Sequence, residues 1–160
     1  MLFHRRHLLG AVAAGMLPRL AYAQGADPFR IGCLAPISGS GSPYGTGMQK
    51  MLAAVVHSVN EAGGAAGRKL QLFSEDTETQ PQSAVLAAKK LIEVNRVEAM
   101  LGVWSSGESL AVIPMTNAAN MILMNTSGAP ALSGPPANAK GLSFRPVSYT
   151  HLTLPTTPYV

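Results

Sequence analysis

Two short segments hold the residues whose types and spacing could do chemistry. The first is Trp104-Ser105-Ser106-Gly107-Glu108. A serine with a glutamate three positions on is a capping box, so Ser105 has two readings: it caps a helix and does no more, or it also meets a ligand. Ser106 and Gly107 then occupy the first helical turn, where amide N–H groups have no intrahelical acceptor. Free amides and a hydroxyl at the positive end of a helix suit a carboxylate. The second segment is Asn125-Thr126-Ser127-Gly128-Ala129, built from small polar residues. This is chemistry for holding an anion. Chemistry for breaking a bond is missing, since no acid/base pair and no nucleophile–histidine constellation is present. Gly102-Val103-Trp104-Ser105-Ser106-Gly107 has the wrong spacing for a G-x-S-x-G elbow. No metal site is expected either: the single cysteine is Cys33, and His57 and His151 lie far apart.

Alternating strands and helices must position these segments. Phe29 to Leu34 is a short apolar run, followed by a Gly/Ser/Pro segment from Pro36 to Gly47. Between Gly47 and Ala62, the residues Met48, Met51, Leu52, Val55, Val59 and Ala62 recur at helical spacing and predict one core-facing stripe. Gly63-Gly64 supplies the left-handed stop. A second apolar run, Leu70 to Phe73, ends in Glu75 and Asp76, which completes one βαβ unit. Thr79-Gln80-Pro81-Gln82 reads as a capping box opening a second helix that runs to about Asn95. Val97 to Val103 is a third strand. A third helix starts near Ser105, and its Pro114 either kinks it or marks where regular helix begins. Met121 to Met124 is a fourth strand. The expected class is α/β, a parallel doubly wound sheet, with the loops Ser38–Gly47, Trp104–Glu108 and Asn125–Ala129 at the carboxyl ends of its strands, where open parallel sheets bind ligands.

The first residues read as an address. Arg5 and Arg6 precede an apolar stretch from Leu8 to Leu17, and Ala21-Tyr22-Ala23 fits a cleavage site. The stretch is too short to cross a membrane. Residues 1–23 are therefore expected to be an export signal, of the twin-arginine or the ordinary secretory kind, and the expected location is periplasmic. Three of the twelve basic residues fall in it, leaving nine against eight acids. So balanced a remainder carries no nucleic-acid footprint. Cys33, alone in an exported chain, reads as a small buried apolar residue. The sequence holds no internal repeat.

The residues resemble a known family. Ile31-Gly32-Cys33-Leu34-Ala35-Pro36-Ile37-Ser38-Gly39, Tyr44-Gly45 and Val59-Asn60-Glu61-Ala62-Gly63-Gly64 are similar to the N-terminal part of type I periplasmic solute-binding proteins of ABC transporters, the branched-chain amino acid and amide group. Gly67-Arg68-Lys69-Leu70, Glu75-Asp76-Thr77, Gly102, Ser105-Ser106 and Ser143-Phe144-Arg145 continue the resemblance in order, from about Phe29 to Val147. It implies capture of an amino acid, amide or similar small polar solute and delivery to an inner-membrane ABC permease, with no reaction and no cofactor. By resemblance, Ser106 would bond the ligand's carboxylate, and Ser127 with Gly128 would contact its polar head. Tyr44 would close over it. Trp104 is placed like a wall residue of the pocket, or is plain core.

The sequence also departs from that family. Where some relatives carry a cysteine pair, the matching positions are Glu78 and Ser105, so that bridge is absent. The Thr126–Ala131 segment is one residue shorter than the family's Ser-Ala-Thr pattern, which puts Ser127 ahead of Thr126 in the threonine's place. Relatives have two lobes. Residues 24–147 are thus expected to be a partial first lobe, and 148–160, which lack Lys, Arg, Asp and Glu, a non-native tail. Two other functions are alternatives: a ligand-sensing receptor of the same fold, and an exported dinucleotide-dependent oxidoreductase. For the latter, Gly39-x-Gly41-x-x-x-Gly45 misses G-x-G-x-x-G.

Overall fold

A computed structural model describes residues 27–146. The export signal read at 1–23 and the tail read at 148–160 lie outside the described residues. Strands β1 (Phe29–Ala35), β2 (Leu70–Asp76), β3 (Ala99–Gly102), β4 (Ile122–Asn125) and β5 (Ser143–Phe144) form one sheet in the order β2-β1-β3-β4-β5. Every pair is parallel. Helices α1 (Ser42–Glu61), α2 (Pro81–Glu93) and α3 (Ser106–Ala118) make the crossovers. The alternation expected from the sequence is present, with β5 as an addition. Its two residues were visible only as part of a motif, because a two-residue strand has no periodicity to detect.

The main core lies where α2 and α3 meet one face of the sheet. Leu34, Met100 and Leu123 point into it from three neighbouring strands, against Ala84, Ala88 and Leu91 of α2 and Val112 and Ile113 of α3. The alternate residues of the same strands face α1. That face is thinly covered. Of the expected stripe, Met48, Leu52 and Val59 are half-buried, while Met51, Val55 and Ala62 are exposed. The stripe was expected to be core; it is only partly so, since α1 packs against β1 and β2 and among the described residues no second helix joins it. Ile122, Met124 and Phe144 are exposed on the far side of the sheet.

Three boundaries differ from the expectation, each for a local reason. The first helix begins at Ser42, five residues before Gly47, because Pro43 sits in its first turn, where a missing N–H costs nothing. Gly45 lets that turn approach the preceding loop: a Cβ there would stand 2.0 Å from the carbonyl oxygen of Pro36. The capping box at Thr79 does not form. Gln80 is the N-cap of α2 with no side-chain bond, and Thr79, at φ 59°, turns its hydroxyl elsewhere. Finally, β3 is shorter than Val97–Val103, since Gly102 (φ 101°) and Val103 (φ 63°) bend the chain out of the extended region. Pro114 lies inside α3, so regular helix begins well before it.

The opposite, amino end of the sheet is clamped by the glycine-rich turn. Arg68 Nη2 and Glu98 Oε1 pair at 2.6 Å, and the guanidinium also donates to the carbonyls of Asp27 and Pro28 while lying over the Phe29 ring. Asn60 at the end of α1 grips the start of β2 with both ends of its amide: Leu70 N donates to Oδ1 at 2.7 Å, and Nδ2 donates to Leu70 O at 2.8 Å. These contacts give a physical reason for the Val59–Gly64 and Gly67–Leu70 motifs.

A methyl group at Gly45 has no room without moving backbone. Gly45→Ala should therefore destabilise the protein by about 1–3 kcal/mol, the range for overpacking a tight contact. Gly47→Ala, in the same helix with nothing near its Cβ, should be neutral or stabilising. Chemical denaturation of both variants checks the contrast.

Candidate ligand-binding site

The strand order reverses around β1: the chain moves from β1 to β2 on one side, then crosses back to β3 on the other. Loops leaving β1 and β3 at such a reversal diverge and leave a crevice between them. The sequence places Tyr44 after one of these strands and Trp104 after the other.

The loop after β1 is held from β2. Register pairs Ala35 with Asp76, which brings the Asp76 carboxylate beside residues 36–38. Its Oδ1 accepts from the amides of Ile37 at 2.8 Å, Ser38 at 3.1 Å and Glu78 at 2.8 Å, and Oδ2 from the Ser38 hydroxyl at 2.6 Å. Thr79 adds a second tie, its Oγ1 accepting from Gly41 N at 2.9 Å and donating to Ser38 O at 3.2 Å. Gly39 and Gly41 both pack tightly against this junction, Gly39 on Glu78 and Thr79 and Gly41 on Pro36 and Thr79, so these glycines serve the loop's folding. From it α1 departs, carrying Tyr44 in its first turn.

The β3 end is drawn onto β1. Val103 N donates to Leu34 O at 2.7 Å, and Gly102 lies so close that a Cβ would be 2.2 Å from that same oxygen. The turn delivers Trp104 to the Tyr44 ring: their centroids are 5.1 Å apart and their planes 16° from parallel. Trp104 is thus a half-buried wall at the crevice, and Tyr44 is 59% exposed.

Next to this stack, α3 begins as the sequence indicates. Ser105 Oγ accepts from Glu108 N at 3.3 Å and Glu108 Oε2 accepts from Ser105 N at 2.9 Å, a complete capping box. The Glu108 side chain is fully buried, so this cap is interior structure. Ser106 is the first helical residue; its Oγ accepts from Ala129 N at 3.2 Å, which leaves its proton free to donate. The first-turn amides of Ser106 and Gly107 are spare, while those of Glu108 and Ser109 are used by Ser105.

The loop after β4 divides its residues between inside and outside. The structure brings Ser127 to the site's underside and not to its surface. It is fully buried, its hydroxyl bonds Val103 O at 3.2 Å and Ser105 O at 3.1 Å and touches Ser109 Oγ, and its amide donates to Asn125 Oδ1. Thr126 and Gly128 are the exposed residues of this loop. Thr126 donates to Val103 O at 3.3 Å from its amide and from its hydroxyl, and its side chain lines the crevice beside Trp104. Alternation along a strand end decides this split, since a one-residue step moves a side chain to the other side. Three supporting residues carry no site role in the sequence reading: Asp76, Thr79 and Arg145, whose Nη1 donates to Ser127 O at 3.1 Å. The signal for Asp76 was its place at a strand's carboxyl end within Glu75-Asp76-Thr77.

Among the described residues no group of His, Cys, Asp and Glu could hold a metal ion. Cys33 is buried; burial pushes its thiol pKa up against the opposing hydrogen bond to Ser74, which makes it unreactive. No described helix is long and apolar enough to cross a membrane.

Comparison with known proteins bears on the family and the fold. A profile described as periplasmic binding protein matches residues 28–160. The Leu/Ile/Val-binding protein homolog 3 of Brucella melitensis is 30% identical over 135 residues, 84% of this chain and 35% of that protein. An ABC transporter substrate-binding protein from Sphaerobacter thermophilus is 33% identical with a TM-score of 0.65, over 74% of this chain and 32% of that one. The branched-chain amino acid substrate-binding protein LivJ of Streptococcus pneumoniae, solved with isoleucine, is 26% identical with a TM-score of 0.64, over 66% of this chain and 31% of that one. The chain spans about a third of the length of the curated relatives it matches.

Partial burial of Asp76 acts to raise its pKa, but the Ser38 hydroxyl and the amides of Glu78, Ser38 and Ile37 outweigh it and hold the group below its ordinary value. A depressed carboxylate contributes stability that is complete above the unfolded-state pKa, about 3.9, and is lost as pH falls through the folded-state value. Asp76→Asn should thus cost about 1.5–3 kcal/mol at pH 7, the range for bonds to a charged group, and the gap to wild type should close below about pH 4. Thermal unfolding of both proteins across that range checks it; a gap independent of pH would mean the charge is not what holds the loop.

Proposed function

This chain belongs to the periplasmic binding protein family, and we propose that it is the solute-capturing component of an ABC importer, taking an amino acid, amide or similar small carboxylate-bearing solute. Its parallel α/β sheet has the type I arrangement of that family. The observation that carries the reading is the amino terminus of α3. There the amides of Ser106 and Gly107 are spare and the Ser106 hydroxyl keeps a proton to donate, two residues along the chain from Trp104, which stacks on Tyr44. A carboxylate placed there meets the positive end of a thirteen-residue helix and at least one neutral donor. Gly128, exposed and without a side chain, gives a solute's polar head access to the backbone of the neighbouring loop. Capture without transformation suits a site of amides, hydroxyls and rings. The relatives named Leu/Ile/Val-binding support an amino-acid solute. The export signal read at residues 1–23 supports a periplasmic location, and the partner receiving the solute would be a membrane permease.

Neighbouring serines separate the two roles in this site. Ser106→Ala should weaken binding of the best α-amino acid by about 1.5–3 kcal/mol, as expected for a hydrogen bond to a charged group. Ser105→Ala should leave affinity nearly unchanged and cost about 1 kcal/mol or more in stability, because it removes the hydroxyl that accepts from the Glu108 backbone amide at the start of the helix. Calorimetric titration and thermal unfolding of both variants give the four numbers. Loss of binding in Ser105→Ala with none in Ser106→Ala would shift the site by one residue, and no effect in either would place the carboxylate elsewhere.

A further inference from the structure

We propose that two copies of this chain associate through the outer face of α2 and α3, about a twofold axis that sets each helix antiparallel to its own counterpart. The only charged residue of α3, Glu108, is turned into the interior. Its outward stripe is Gly107, Leu110, Pro114 and Ala118, exposed and without charge along the helix. That inverts the usual pattern of a surface helix and marks a face that is covered. Beside it α2 exposes Leu86, and Ile92 and Met115 line an apolar groove of about 340 Å³ between the two helices. The charges say what covers this face. An isologous interface puts a patch against itself, so the patch must be its own complement. Lys89 and Glu93 stand one turn apart on α2, opposite in sign and alike in exposure (58% and 61%). The remaining charge at that level, Lys90, is already tied to Glu75 at 2.8 Å. An antiparallel crossing centred at the level of Leu91 sets each Lys89 against the other copy's Glu93, and does so twice. The groove fixes the matching level on α3, because residues 92–93 and 115–118 line it together. Centred within a residue of that level, at Pro114, the same axis sets each Leu110 against the other copy's Ala118. Both helices run the same way, as crossovers on one face of a parallel sheet, so one axis perpendicular to them satisfies both pairs. Ser106 lies eight residues from Pro114, about 12 Å along the helix, so the start of α3 stays open.

Equilibrium sedimentation of the full chain between about 1 μM and 1 mM reads the association. A face of two thirteen-residue helices is smaller than a standard interface, so the association is reversible within that range. The average mass should rise from one chain toward two and stop there, since a closed twofold leaves the face fully used. Charge reversal tests the register. Lys89→Glu or Glu93→Lys puts like charges together at two symmetry-related places, and each should weaken association at least roughly tenfold. An equimolar mixture of these two single variants should associate again, because each charge then meets its opposite across the axis. An effect confined to one helix cannot produce that rescue. Leu110→Glu should hold the chain as a monomer, and circular dichroism checks that each variant, altered only at an exposed position, keeps its fold. A single-chain mass over the whole range, or growth past two copies, would overturn the proposal. So would a mixture that associates no better than either variant alone. A dimer that survives Leu110→Glu and is lost in Phe144→Asp would place the interface on the sheet face beyond α1 instead.

Discussion

Much of the carboxyl end of this sheet depends on one carboxylate. Asp76 closes β2, and because parallel register sets it against the last residue of β1, its oxygens meet the amides of the loop leaving that strand. A loop of Pro, Ile, Ser and Gly has no packing of its own to fix it, and a charged acceptor shared among three amides and a hydroxyl supplies what the loop lacks. The start of α1 follows from that anchor, and the position of Tyr44 follows from the start of α1. Thr79 reinforces it, giving up helix capping to tie the same loop.

The second constraint is close backbone contact at the ends of β1 and β3. Gly102 and Gly45 each stand where a Cβ would meet a carbonyl oxygen, of Leu34 in one case and Pro36 in the other. The first contact draws the end of β3 onto β1 and the second folds the start of α1 back onto the loop after β1, so that rings sixty residues apart in sequence come to stack. The crevice is thus assembled at the scaffold's tightest points, and the proposed carboxylate donors stand on a helix terminus.

The two faces of the sheet are unequal, and the difference bears on the site. The face under α2 and α3 carries the buried core and anchors α3, whose amino end offers the amides. The face under α1 leaves Met51, Val55, Ile122, Met124 and Phe144 exposed. Beneath α1 lies an apolar gap of about 180 Å³ lined by Cys33, Met48, Met51, Leu101 and Met124. Flexible thioethers adapt to such a gap better than branched side chains would.

The sequence by itself determined the kinds of elements and the chemistry of the α3 terminus. Helical spacing, the Gly63-Gly64 stop and the Ser105–Glu108 spacing are local signals, because the forces behind them act within a few residues. The resemblance carried by short motifs identified the family, which the profile match then established. What only the tertiary structure decided was everything set by contacts distant in the chain. That Thr79 ties a loop instead of capping a helix, that Ser127 turns inward while Thr126 and Gly128 face out, and that half of the α1 stripe stays exposed each depend on a partner some twenty to forty residues away, or on the lack of one. Trp104 shows the limit most clearly. Its sequence context fits core and pocket wall equally well, and only the reversal of strand order around β1, which brings Tyr44 to its face, makes it a wall.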